Sequence, residues 1–298
     1  MAEAAVHLDE GGTEIVLGGP RYVELLAGVH RRLRPRTYFE IGARRGSSLR
    51  VAGCTSLVVD PHFQLEEGVV GPKPICTLHQ STSDEFFATR DPIGILGAPI
   101  DLAFIDGMHQ LEFVLRDFIG TERSVSPGSM IVLDDICPRD YYMSRRTFVP
   151  DAVQPTKYKG YWTGDVWKMI PILREYRPAM DVRCIDTQPT GLAVCTNLDP
   201  SDETLATNYD EIVLRWRDVR LEDYGLARLL EDLRMVSADA WVNQLVPLYP
   251  DDPEPPAEGS RFRSQNEILR AQMDAMRKST SWRITRPLRF LGRLARKS

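Results

Sequence analysis

The chain has 298 residues, 43% apolar and 27% charged, with a formal net charge of −5, enough for one substantial α/β core with elaborations. No apolar run approaches the roughly 20 residues a spanning helix needs, and residues 1–20, which carry Glu3, Asp9, Glu10 and Glu14, show no secretory signal. These readings exclude a membrane-spanning protein and lead us to expect a soluble or peripheral, cytoplasmic one.

Residues 1–19 read as an irregular or partly ordered lead. An amphipathic helix is expected over 20–33, with Tyr22, Leu25, Leu26, Val29 and Leu33 on one face and Pro35 ending it. Strands follow at 37–41, 56–59 and 73–78, with helices over 46–53 and 83–88 after the first and third. The run 100–105, apolar except at Asp101 and closed by Asp106, suits a buried parallel strand. A helix over 111–119, a turn at Pro127-Gly128 and a strand over 129–133, closed by Asp134-Asp135, come next. A polar, aromatic stretch occupies 137–164, then a helix over 166–176 and strands at 180–185 and 191–196, which read as a hairpin around Pro189. Five alternations of strand and helix followed by a hairpin predict a doubly wound, mostly parallel seven-stranded sheet. Beyond this domain, 20–200, come a helical extension (201–250), a linker (251–260, rich in Pro and Asp) and a tail (261–298). Five cysteines without a C-x-x-C pair suit reduced thiols rather than a zinc site.

The stretch Glu40-Ile41-Gly42-Ala43-Arg44-Arg45-Gly46-Ser47-Ser48 carries the strand into a glycine turn and a helix start, and Asp60 ends the next strand. A nucleoside-bearing cofactor fits across such strand ends, with Asp60 placed to accept ribose hydroxyls. The pattern is not the G-x-G-x-x-G dinucleotide fingerprint. A strand-turn-helix without a ligand is the competing reading. E-I-G-x-x-x-G resembles the first motif of class I S-adenosylmethionine-dependent methyltransferases. The resemblance implies a Rossmann-like fold, S-adenosylmethionine as cofactor, and contacts from Glu40, Gly42, Ala43, Arg44, Gly46, Ser47, Asp60 and Asp106. Ser81 and Ser83, after the third strand, would approach the adenine, although such residues also cap helices.

Asp106, Asp134 and Asp135 close two strands expected to be adjacent, and three carboxylates there repel one another unless protons or a cation intervene. A Mg²⁺-like ion with oxygen ligands would satisfy them. The layout resembles the divalent-metal-dependent O-methyltransferases, in which acids at these motif positions bind the metal and a basic residue three places after the first acid serves as base. That implies Asp106, Asp134 and Asp135 as ligands and His109 as base, acting with Asp106. A solvent-facing turn at Asp106-Gly107-Met108-His109 and a capping role for Asp134-Asp135 are the plainer alternatives.

Tyr141, Tyr142, Tyr158, Tyr161, Trp162 and Trp167 suit either a lid for the acceptor or ordinary packing, and Asp165 and Lys168 are expected to pair at a helix start. Residues 260–298 hold eleven Lys or Arg against Glu267 and Asp274, a balance of +9 that leaves −14 for residues 1–259. An acidic body disfavours nucleic acid as a partner. The basic tail, with Trp282, Leu288, Phe290, Leu291 and Leu294 interleaved, is expected to meet an anionic membrane surface or a protein partner. It also resembles an S-x-S-W-R-x-T-x-P-L-R segment at the ends of bacterial glycan-assembly proteins. The sequence therefore points to O-methylation of a small-molecule or glycan hydroxyl. A metal-independent methyltransferase and a catalytically silent scaffold recruited by the tail are the alternatives.

Overall fold

A computed structural model describes residues 2–150 and 156–252. Met1–Pro250 pack as one compact unit, and Asp251–Ser298 are a second, of which residues 251 and 252 are described. The rest of the expected linker and the basic tail lie outside the described residues.

The strands are β1 (His7–Leu8), β2 (Ile15–Val16), β3 (Thr37–Ile41), β4 (Thr55–Val59), β5 (Cys76–His79), β6 (Ile100–Ile105), β7 (Val125–Leu133), β8 (Asp181–Asp186), β9 (Leu192–Thr196) and β10 (Val236–Ser237). The helices are α1 (Tyr22–Leu33), α2 (Ser83–Thr89), α3 (Pro92–Leu96), α4 (Leu111–Glu122), α5 (Met169–Tyr176), α6 (Thr204–Thr207), α7 (Tyr209–Trp216), α8 (Leu221–Tyr224), α9 (Leu226–Leu233) and α10 (Ala238–Val242). The main sheet has eight strands in the order β10-β8-β9-β7-β6-β3-β4-β5. Only β9 runs antiparallel to its neighbours β7 and β8. The expected seven strands become eight because Val236–Ser237 pairs in parallel with β8. Two residues leave no periodicity to read, so the sequence pattern missed this strand.

β3 and β6 are buried at every residue, as strands covered on both faces must be. Side chains alternate between the faces. Phe39, Ile41, Ile105 and Ile131 join one cluster, and Tyr38, Phe104 and Val132 join the other with Leu25, Leu26 and Val29 of α1. The first cluster extends into the helical extension through Leu205, Ile212, Leu221, Leu229 and Leu233. Each such buried Leu or Ile contributes on the order of 1.5–3 kcal/mol relative to exposure, so the extension belongs to the same core.

The lead is partly ordered: β1 and β2 pair antiparallel, and Ile15 is fully buried. Two local expectations are corrected. The helix expected over 46–53 contracts to a 3-10 turn at Leu49–Val51. Pro127-Gly128 lies inside β7, whose pairing with β6 shifts register between Ile100 and Leu102. In the helical extension, Gly225 separates α8 from α9. The five cysteines are free thiols. Among the described residues no helix is long and apolar enough to cross a membrane.

Candidate active site

The carboxyl ends of the central strands form one row. The Gly42 amide donates to the Val59 carbonyl at 2.9 Å, that of Asp106 to Ile41 at 2.8 Å, and that of Asp134 to Ile105 at 3.1 Å. Gly42, Asp106 and Asp134 therefore stand side by side where β3, β6 and β7 end, with Asp60 closing β4 next to them. A ligand crossing this edge meets all four.

The glycine turn is shaped by the protein itself. Gly42 has φ +87°, and a Cβ there would lie 1.9 Å from the Asp106 carbonyl oxygen, so any side chain would push two strand ends apart. Gly46 is closed off likewise, by Val69 Cγ1 at 2.5 Å from such a Cβ. Between them Ala43 is buried, while Arg44, Arg45 and Ser47 are exposed. Asp60 takes the Arg44 amide at 2.7 Å and the His62 amide at 2.6 Å. Those two bonds fix its carboxylate at the strand end and leave lone pairs for a ribose.

Glu40 differs from the expectation of a direct cofactor contact. It is fully buried, and its two oxygens accept from Tyr38 Oη at 2.9 Å and Ser48 Oγ at 2.5 Å. Burial lifts its pKa to about 7 even though both hydroxyls favour the charged form. It braces the turn from within. Ser83 also departs from expectation: its hydroxyl bonds to the buried Asp117. Ser81 donates to the Thr82 carbonyl at 3.0 Å, and Thr82 supplies the capping box of α2.

On the acceptor side the convergent group is Asp106, His109 and Asp135, one donor atom of each lying within 4.8 Å of the others. His109 Nε2 is 3.2 Å from Asp106 Oδ1, and Nδ1 is 3.3 Å from Asp135 Oδ2 and 2.5 Å from the Trp162 carbonyl oxygen. Both ring nitrogens thus face acceptors, which suits the doubly protonated imidazolium. Burial opposes that charge, but Asp135 and Asp106 outweigh it and raise the pKa to about 10. Of the three expected ligands, Asp106 and Asp135 fall in this group. Asp134 stands outside the convergent group, its Oδ1 taking the Asp135 amide at 2.8 Å and the Thr190 hydroxyl at 3.4 Å. Burial and then the charges of Asp135 and Asp106 hold the Asp134 carboxyl well above its ordinary pKa, and burial lifts Asp135 to about 6. Asp135 has φ +60°, so the backbone swings this residue toward His109 and leaves Asp134 behind.

The aromatic stretch fastens onto the same loop. Trp162 stacks on the His109 ring at 5.1 Å, with Phe148 edge-on to it at 6.1 Å. Phe148, Tyr161 and Met108 are exposed beside them. A Cβ at Gly164 would sit 2.0 Å from the His109 carbonyl oxygen. Asp165 and Lys168 pair at 2.7 Å, as their spacing implies, and Asp165 also holds Arg146 and the Leu111 amide. Tyr22 was legible in sequence only as a helix-face residue, yet its ring lies against Phe104 near this row. A cavity of about 610 Å³ lined by Trp216, Tyr224 and Arg228 touches none of these residues.

Residues 39–136 match a family model described as a methyltransferase domain. No curated protein matches the chain by sequence. Among solved structures, the O-methyltransferase TomG of Streptomyces achromogenes, involved in tomaymycin synthesis and solved with S-adenosylmethionine, is similar at 16% identity and TM-score 0.41, over 58% of this chain and 78% of that one. An O-methyltransferase of Bacillus cereus in complex with S-adenosylhomocysteine is similar at 12% identity and TM-score 0.39, over 59% and 79%. The methyltransferase PaMTH1 of Podospora anserina, bound to S-adenosylhomocysteine, gives 13% identity and TM-score 0.39, over 59% and 78%. The matched span begins in β3 and ends just past Asp135, enclosing the glycine turn and the whole acidic row. Over this third of its length the chain is similar to a methyltransferase domain.

Proposed function

We propose that the enzyme transfers the methyl group of S-adenosylmethionine to a hydroxyl oxygen of a small-molecule or glycan acceptor, assisted by a divalent cation. The observation that carries this reading is the convergence of Asp106, His109 and Asp135 beside the cofactor turn. Two carboxylates with a third behind them are hard oxygen donors in mutual repulsion, a set that fits Mg²⁺. Asp106 and Asp135 would hold the ion, with Asp134 orienting Asp135 through its amide. When bound, such an ion supplies Lewis-acid polarisation of the acceptor hydroxyl. His109 is protonated while it alone balances the two carboxylates. With their charge otherwise compensated, the imidazole returns toward its ordinary pKa and can take the acceptor's proton. Trp162 fixes the ring plane of His109, and the exposed Phe148 and Tyr161 offer faces on which a sugar or other ring can stack.

One observation favours a metal-independent variant of the same reaction: the imidazolium already fills the place between Asp106 and Asp135. Activity retained in EDTA would select that variant. The methyltransferase reading itself is tested by calorimetric titration with S-adenosylhomocysteine. Micromolar binding lost in Asp60→Ala supports it. No binding by the wild type leaves the scaffold alternative ahead.

For residues 261–298 we propose contact with an anionic membrane surface or a protein, on the strength of their +9 balance. Sedimentation of the full chain with anionic vesicles, compared with a chain ending at 260, tests the membrane case. The free thiols support a reducing, cytoplasmic setting.

A further inference from the structure

Tyr22 opens α1, and α1 leads back into β3, so this end of the helix lies over the carboxyl edge of the sheet. Its amide donates to the Gln188 carbonyl at 2.9 Å, which ties it to the loop before β9. Its ring lies parallel to Phe104, with centroids 6.2 Å apart and planes within 8°. Phe104 is paired in register with Glu40 on one side and Val132 on the other. Two residues further along, on the same face by strand alternation, come Asp106 and Asp134. The phenol thus stands over the part of the edge where the acidic row converges. Its hydroxyl makes no hydrogen bond to any described residue, although the ring is half-buried. Burial first, then the charges of Asp134, Asp106, Glu40 and Asp135, push its ionisation upward, so it stays a neutral phenol at working pH.

A neutral oxygen and an electron-rich ring face amid carboxylates make a site for a cation. The cofactor supplies one in its sulfonium, which becomes a neutral thioether once the methyl group has left. We propose that Tyr22 is a cofactor contact that recognises the positively charged sulfonium end of S-adenosylmethionine. The ring face would meet the positive sulfur by cation–π attraction, and the phenol oxygen would accept weak C–H···O contacts from the polarised methyl group. The inference rests on the methyltransferase reading.

The test is calorimetric affinity for S-adenosylmethionine and S-adenosylhomocysteine, measured on the wild type, Tyr22→Phe and Tyr22→Leu. Tyr22→Phe keeps the ring against Phe104 and guards against a folding failure. The expected result is a fall of about fivefold in the preference for the sulfonium over the thioether in Tyr22→Leu, with a smaller fall in Tyr22→Phe, as contacts of about 1 kcal/mol imply. Affinity for S-adenosylhomocysteine should stay within about twofold. Equal weakening of both ligands would make Tyr22 merely structural and overturn the proposal. So would unchanged affinity for both, or a rise in acceptor KM with cofactor affinity intact. A wild type that binds neither ligand would remove the methyltransferase reading and this proposal with it.

Discussion

The Asp165 amide donates to the His109 carbonyl oxygen at 2.7 Å, so the base candidate is held from a segment more than fifty residues downstream. The Asp165 carboxylate is itself buried, and it holds Lys168 Nζ at 2.7 Å and Arg146 at 2.5 Å. Lys168 is 1% exposed, so removal of its partner leaves a charge out of reach of water. Asp165→Ala should therefore destabilise the protein by about 3–5 kcal/mol, read as a lowered urea midpoint at unchanged slope. Asp165→Asn should fall between it and the wild type.

Glu40 gives a pH signature. Its carboxyl has a folded pKa of about 7 against an ordinary 4.5, with burial the largest cause. The folded state thus holds this proton more tightly than the unfolded state does. The stability it contributes is fully present below 4.5 and is lost as pH rises to about 7. Glu40→Gln keeps the reach to Tyr38 and Ser48 without the titration. Urea unfolding at pH 5 and pH 8 should show the wild type losing more stability across this interval than Glu40→Gln. Parallel profiles would refute the assignment.

Under the proposed metal-assisted reading, His109 would link the ion to the proton. In the absence of a cation its pKa is raised to about 10, burial being outweighed by Asp135 and Asp106, so at pH 8 the ring carries its proton. A cation held by Asp106 and Asp135 removes the cause of that shift, and Mg²⁺ binding should release about one proton per chain. Calorimetry in two buffers of different ionisation enthalpy measures the release. His109→Gln should bind Mg²⁺ without it. Proton-free binding by the wild type would detach His109 from the metal site.

Much of this architecture was legible because it rests on local physics. Runs such as 100–105 are apolar at nearly every position, as a doubly covered strand requires, and β4, β6 and β7 each end at the acid that the sequence marks. What escaped depended on distant partners. The two-residue β10 is a strand only because β8 lies beside it. Ser83 looked available until Asp117 came within reach of its hydroxyl. The adjacent Asp134 and Asp135 looked equivalent, and only the left-handed backbone at Asp135 separates them. Trp162 read as one aromatic among several. Nothing in its neighbours announces that its carbonyl and ring both meet a histidine fifty-three residues earlier.

Gly42→Ala tests the turn. The added Cβ would fall 1.9 Å from the Asp106 carbonyl oxygen at a φ of +87°. Backbone strain there costs about 1–3 kcal/mol before the clash is relieved, and relief must move Asp106. The expected outcome is a lower melting temperature together with loss of S-adenosylhomocysteine binding. Retained binding at full affinity would mean that the strand ends can part without disturbing the cofactor edge.

The two neighbouring aspartates should separate by experiment. Asp135 Oδ2 lies 3.3 Å from His109 Nδ1 in the convergent group, whereas Asp134 Oδ1 is engaged with the Asp135 amide and Thr190. Asp135→Asn and Asp106→Asn each remove a charged oxygen donor from the proposed ion and should weaken Mg²⁺ binding severely. Asp134→Asn removes an orienting charge behind the site, and loss of such a supporting partner costs about 10–100-fold in metal affinity at most. Asp134→Asn should also be tolerated in folding, because burial and the neighbouring carboxylates of Asp135 and Asp106 oppose a charge at this position. Mg²⁺ titration of the three variants, each checked by thermal unfolding, gives the ranking. If Asp134→Asn weakens binding as much as the other two, all three carboxylates coordinate the ion, and the bond between Asp134 and Thr190 gives way when the metal enters.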